Sequence, residues 1–269
     1  MGLDYWKRQG KTAIFPEVDT ERPEQRKMAG KLLIVGGNKG AFFAVAQAMT
    51  AAQKLGVGEA RVLMPASLRG KVPSAPEIYF EEADASGAFG KAALSELMAQ
   101  AAWADAVVLI GDMGKNAETS VMLARFLKDR IDTPVYLTRD AVDAAVPDVM
   151  NWAVMREAET GLLLAMPQLQ KLLRTLYYPK VVTLSMPTNQ LIETLNKFTI
   201  SYPELNIITF HNGQIVVAQN GEVVTTALAD TNWTLLTLFG GELLVRAAVY
   251  KLWNPTEKSF ATSASAVIE

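Results

Sequence analysis

Residues 31–43 read "KLLIVGGNKGAFF". An apolar run of strand length meets two adjacent glycines, and Asn38, Lys39 and Gly40 then lead into small apolar residues. Glycines at such a place serve one of two ends. They let backbone N–H groups come close to an anionic ligand, beside a lysine and a helix N-terminus. Or they only give a strand-to-helix turn its geometry. Either way, a short apolar run bounded by glycine predicts a buried strand.

Outward from this stretch the pattern repeats. "AFFAVAQAMTAAQKLG" has helical spacing and a glycine stop at Gly56. "ARVLM" and "IYFEE" read as strands, "GKAALSELMAQAAWA" as a helix, and "DAVVLI" as a strand that runs into "GDMGKN". "AETSVMLARFLKDR" is helical, "TPVYLT" a strand, and "RDAVDAAV" the start of another helix. Strands alternating with helices of this length predict βαβ units and a mainly parallel sheet.

In the second half, "TGLLLAMP", "KVVTLSM" and "NIITF" are strand candidates, with "PQLQKLLRTLYY" and "TNQLIETLNKFTISYP" helical between them. Asn220-Gly221 in "GQIVVAQNGEVVTTAL" predicts a type I′ turn, and so a late β-hairpin at one edge of the sheet. "TNWTLLTLFGGELLVRAAVYKLW" is a long helical pattern interrupted by Gly240-Gly241, with Asp230 or Thr231 as its cap. Residues 1–30 carry scattered charges and prolines without a period. They are expected to form a loop-like arm with at most a turn of helix. Trp6, Phe15 and Tyr5 would pin it to the body or to a neighbouring subunit, and a homo-oligomer is expected. Residues 31–269 are expected to form one domain.

Composition narrows the function. The chain has 269 residues, half of them hydrophobic, and a net charge of -2. That balance gives no electrostatic case for nucleic acid or an anionic membrane as partner. With no cysteine and only His211, thiolate and multi-histidine metal centres are excluded. No G-x-S-x-G elbow supports a Ser-His-Asp triad. The N-terminus lacks an apolar h-region and no apolar run reaches the roughly 18 residues of a membrane span, so a cytoplasmic protein is expected.

In open α/β sheets ligands bind beyond the carboxyl ends of the strands. Both glycine turns are expected there. This makes Gly36, Gly37, Asn38 and Lys39, with Gly111, Asp112, Gly114 and Lys115, candidate ligand-binding residues. Neither turn is a P-loop, and neither has the G-x-G-x-x-G spacing of dinucleotide folds.

Together the pieces resemble a known family. "KLLIVGGNKGAFFAVAQAMTAAQKLGVGEARVLMP" is similar to the start of the ADP- or ATP-dependent NAD(P)H-hydrate dehydratases of the ribokinase-like superfamily. "WADAVVLIGDMGKNAET" resembles their strand running into I-G-P-G-L-G, and "TPVYLTRDAV" their strand ending in D-A-D-A-L, with Asp140 at the second aspartate. The likeness covers roughly residues 31–145 and is one of element order beyond. It implies a ribokinase-like three-layer α/β/α fold, ADP or ATP with Mg²⁺, and a small nucleotide or NAD(P)H-like metabolite as partner.

The C-terminal half departs from the pattern. The family's G-T-G-D aspartate, before a helix whose N-terminus forms an anion hole, falls in "LADTNWTLLTLFGG". Thr234 stands where the aspartate is expected, Asp230 is on the other side of the turn, and Asn232 lies between. The L-K-G-x-x-T strand falls on "ITFHNGQ", which keeps Gly213 and adds His211. These residues, with Asp140, are what the resemblance places at the ligand. No residue is assigned to catalysis or to a metal. Three readings stay open: a dehydratase with relocated catalytic groups, a protein that binds a nucleotide without turnover, and an oligomeric scaffold of the same fold.

Overall fold

The computed structural model describes residues 4–130, 132–153 and 155–268. Its ten strands are β1 (Trp6–Gln9), β2 (Lys31–Gly36), β3 (Glu59–Pro65), β4 (Ile78–Glu81), β5 (Ala106–Gly111), β6 (Val135–Thr138), β7 (Thr160–Leu164), β8 (Leu205–His211), β9 (Gln214–Gln219) and β10 (Glu222–Ala227). They form one sheet in the order β1-β10-β9-β8-β7-β6-β5-β2-β3-β4. Every neighbouring pair is parallel except those made by β9, which runs against both β8 and β10.

The helices are α1 (Glu17–Thr20), α2 (Phe43–Leu55), α3 (Ala93–Trp103), α4 (Ala117–Asp129), α5 (Arg139–Ala145), α6 (Val149–Trp152), α7 (Met166–Thr175), α8 (Thr188–Ser201), α9 (Leu235–Gly240), α10 (Glu242–Trp253) and α11 (Ser259–Ala266). Side chains of the central strands alternate between two cores. Leu33, Val35, Val107 and Leu109 face the layer holding α3 to α8. Leu32, Ile34, Val108 and Ile110 face the layer of α2, α10 and α11. Both faces are therefore covered, which is why β2 and β5 are continuously apolar rather than alternating. The fold is the three-layer α/β/α arrangement expected, with a mainly parallel sheet and a late hairpin at Asn220-Gly221, both at positive φ.

Several expectations change. Residues 180–186 ("KVVTLSM") are not a strand: Val182 and Met186 anchor the segment, while Val181 and Leu184 face solvent. Their β propensity finds no neighbouring strand to pair with. The segment expected as a loop arm supplies β1, which pairs with β10, so the hairpin lies inside the sheet and not at its edge. Its aromatics find partners within the chain. Trp6 Nε1 donates to Thr225 Oγ1 at 2.9 Å, and Phe15 meets Phe260 edge to face. The long helical pattern is split: Thr234, not Asp230 or Thr231, caps α9, and Gly241 separates α9 from α10. A further helix, α11, follows and is buried along its whole length.

Candidate functional site

The ends of β2, β5, β6 and β7 share one rim, because parallel strands all finish on the same side. The two glycine turns meet there directly. Gly36 pairs with Gly111 in the sheet, and a Cβ on Gly36 would stand 2.5 Å from the Gly111 carbonyl oxygen. Gly37 N donates to that oxygen at 3.0 Å, and Asn38 Nδ2 to the Asp112 carbonyl at 2.5 Å.

The donors of the first turn are taken up by the protein itself. Asn38 N bonds the Ala41 carbonyl and Ala41 N bonds that of Asn38, a closed tight turn. Lys39 N donates to Gly87 O at 2.9 Å, and Gly40 N to Asn38 Oδ1 at 2.8 Å. Lys39 is exposed, and its carbonyl accepts from Lys71 Nζ at 2.8 Å. The glycines at 36 and 37 thus permit close approach between two strand ends.

The second turn is different. Asp112, at φ 57, follows β5 and sends one carboxylate oxygen to the start of α2, where Ala44 N lies 3.4 Å from Oδ2. Its other oxygen accepts from Arg139 Nη2. Arg139, at φ 56, follows the end of β6, and its carbonyl accepts from Gln168 Nε2 at the start of α7 at 2.8 Å. Asp140 Oδ2 accepts from Gly114 N at 3.0 Å, while the buried Oδ1 has no partner among the described residues. Burial pushes the Asp140 carboxyl above its usual range and the Asp112 charge adds to this. The Gly114 bond and Arg139 pull the other way. Lys115 is exposed and lines a cleft of about 450 Å³ with Asn116, Asp140, Asp143 and Lys171. Asn116 caps α4 through Thr119 N.

Gly241 closes the rim on the other face. A Cβ there would collide with Ile110 of β5 and touch Thr138 of β6, so only glycine lets the N-terminus of α10 settle on these strand ends. No side chain caps α10. Its first-turn N–H groups thus lack a side-chain partner close to the strand ends. Glu242, the first residue of α10, is half-buried. It lines a groove of about 480 Å³ between α2 and α10 with Phe43, Trp233 and Arg246. By sequence, Thr234 stands at the aspartate position and Glu242 is not singled out. The glycine pair just before an acid was the available signal.

The remaining candidates stand apart. His211 is buried, its Nε2 2.8 Å from the Met186 carbonyl, to which it donates. Asn212 and Gly213, both at positive φ, form a second two-residue hairpin turn between β8 and β9. Asp230, Asn232 and Thr234 lie on the connection from β10 to α9, and Thr234 is used as the α9 cap. Among the described residues no group of three or more His, Cys, Asp or Glu could hold a metal. Nor is any described helix long and apolar enough to cross a membrane.

No family model matches the sequence, and no curated protein matches it. Solved structures do match. A ribokinase-like superfamily protein of Enterococcus faecalis aligns over 98% of this chain and 86% of its own, with TM-score 0.70 and 15% identity. An ADP/ATP-dependent NAD(P)H-hydrate dehydratase of Bacillus subtilis, co-crystallised with ATP and Mg²⁺, aligns over 94% of this chain and 84% of its own, with TM-score 0.60 and 15% identity. A hydroxyethylthiazole kinase protein of Pyrococcus horikoshii aligns over 94% and 80%, with TM-score 0.58 and 10% identity. At these identities the likeness establishes the ribokinase-like fold.

Proposed function

We propose that this chain is a metabolite-kinase-related protein that binds the phosphate-bearing part of a nucleotide or dinucleotide at the rim of β2, β5 and β6. The observation that carries the reading is convergence. The uncapped start of α10 and the Arg139 guanidinium both stand at strand ends where Gly111 and Gly241 allow close approach. Oriented N–H groups and a guanidinium suit a phosphate. In this reading Gly36, Gly37 and Asn38 shape the rim rather than donate. Lys39 and Lys115 flank it with charge, and Asp140 supports the second turn. His211, Gly213, Asp230, Asn232 and Thr234 stand apart from it and have no part in this reading. Mg²⁺ would arrive on the nucleotide's phosphates, since no acidic trio is present among the described residues.

If the protein turns a ligand over, Glu242, the first residue of α10, is our candidate to take a hydroxyl proton, with the N–H groups of that helix start to stabilise charge on a transferring phosphoryl group. This supports the finer reading of an ADP- or ATP-dependent NAD(P)H-hydrate dehydratase, in line with the structural likeness to the Bacillus subtilis enzyme. Thermal shift with ADP, ATP, AMP, NADH and NADPH, with and without Mg²⁺, tests binding, because a ligand of the native state raises Tm. Loss of hydrated NADH in a coupled absorbance assay tests turnover. No shift by any of the five ligands removes the binding reading.

A second reading, an oligomeric binding or scaffold protein without turnover, is favoured by exposed apolar side chains. Phe43 is 71% and Leu236 84% exposed, with Leu235 beside it. A second copy would cover them. A monomer mass by light scattering at micromolar concentration would count against it.

A further inference from the structure

Asp112 and Arg139 follow the ends of two neighbouring strands, β5 and β6, and are joined by an ion pair. Both are non-glycine residues in the left-handed region, a conformation that persists only where the surroundings impose it and that clusters at ligand clamps. Their exposures differ. The Asp112 side chain is 9% exposed and Arg139 is 36% exposed. Asp112 is also tied to the start of α2 through Ala44 N. Arg139 begins α5, and beyond that helix its carbonyl accepts from Gln168, one guanidinium nitrogen, Nη2, bonds Asp112, and its charge acts on Asp140. Its Nε and Nη1 have no protein partner among the described residues.

We propose that Arg139 is the anion-selecting residue of this rim, held ready by Asp112, and that a ligand phosphate takes over the guanidinium. The inference rests on the rim reading above and adds the ligand's required group: a terminal phosphate or pyrophosphate. A guanidinium binds phosphate best through two parallel N–H bonds, and the single bond to Asp112 leaves an edge of the fork unused. Asp112 is not stranded by the exchange. It keeps the Ala44 N–H and the partial positive charge at the start of α2. The buried acid thus acts as a placeholder that keeps Arg139 in its left-handed conformation until an anion arrives.

The test uses inorganic pyrophosphate, ADP and adenosine, measured by calorimetric titration and thermal shift on wild type, Arg139→Ala, Arg139→Lys and Asp112→Asn. Pyrophosphate and ADP are expected to lose about tenfold or more in affinity in Arg139→Ala, with adenosine unchanged. Arg139→Lys should restore only part of the loss, because it has charge without the fork. Asp112→Asn should bind pyrophosphate severalfold more tightly, since a competing anion is gone. Unchanged pyrophosphate binding in Arg139→Ala, weaker binding in Asp112→Asn, or no pyrophosphate binding by wild type would each overturn the inference. If Arg139→Ala does not fold, Asp112→Asn decides. Pyrophosphate binding that needs Arg139, with ADP and adenosine both silent, would uphold Arg139 and remove the nucleotide reading.

Discussion

The amide of Gly37 donates to the carbonyl of Gly111 at 3.0 Å, so the two glycine turns hold each other. A turn whose N–H groups are all bonded within the protein has none left for phosphate. Residues 37–41 are in that state, through Gly111, Ala41, Gly87 and Asn38. In the proposed reading, anion recognition falls instead to Arg139 and the start of α10.

Gly36→Ala should destabilise the protein by about 1–3 kcal/mol, the usual cost of overpacking. The added Cβ would meet Gly111 O at 2.5 Å, Ile110 Cγ2 at 2.8 Å and Val45 Cγ2 at 2.9 Å. The Gly111 oxygen is backbone and cannot move without shifting the end of β5. Urea unfolding checks it. A midpoint equal to wild type would mean that the two strand ends are not locked together.

Asp140→Asn should stabilise the protein near neutral pH. The carboxyl is held above its usual range chiefly by burial, and Oδ1 has no partner among the described residues. For a raised carboxyl, any contribution to stability is present below the unfolded value of 3.8 and is lost as pH rises through the folded value. At pH 7 the charged form is thus a burden that the amide removes. The gain, read from denaturation midpoints, should be largest at pH 7 and vanish near pH 3. A loss of stability at pH 7 would contradict this.

Tyr136 should control part of the alkaline limb. Its hydroxyl is fully buried and is pushed well above the ordinary value of 10.0, first by burial and then by the charge of Glu159. The Ser259 hydrogen bond acts against this, by more than the Glu159 charge adds. The contribution is present below pH 10 and is lost as the unfolded chain ionises above it, by about 1.4 kcal/mol per pH unit. Tyr136→Phe should flatten the fall in stability between pH 10 and 11 relative to wild type. Parallel pH profiles for the two proteins would refute the assignment.

Gln9→Ala should cost about 1–3 kcal/mol, the range for leaving buried polar groups unsatisfied. Gln9 is 3% exposed. It donates to Ala264 O at 2.8 Å and Thr226 Oγ1 at 3.2 Å, and accepts from Ile14 N at 3.1 Å. It thereby fixes β1 to both β10 and α11. Thermal melting of the variant at several pH values checks this, and an unchanged Tm would show that the first strand is only loosely attached.

The sequence by itself determined the alternation of strands and helices, the parallel sheet and the hairpin at Asn220-Gly221. These follow from local signals: glycine-bounded apolar runs, helical spacing and a turn dipeptide that needs positive φ. It also marked the rim, because strand-to-helix turns in such a sheet must gather at one end. Tertiary structure alone decided what each residue there does. No local pattern distinguishes a free N–H from one bonded to a strand 74 residues away, as that of Gly37 is to Gly111. The likeness of "KVVTLSM" to a strand was equally local, and pairing, which is not local, withheld the strand. Trp6 and Gln9 gave no sign of joining the sheet because their partners, Thr225, Thr226 and Ala264, lie near the far end of the chain. The Asp112–Arg139 pair and the seat of Gly241 against Ile110 exist only once β5, β6 and α10 are packed, since each joins groups that sequence separation hides and burial brings together.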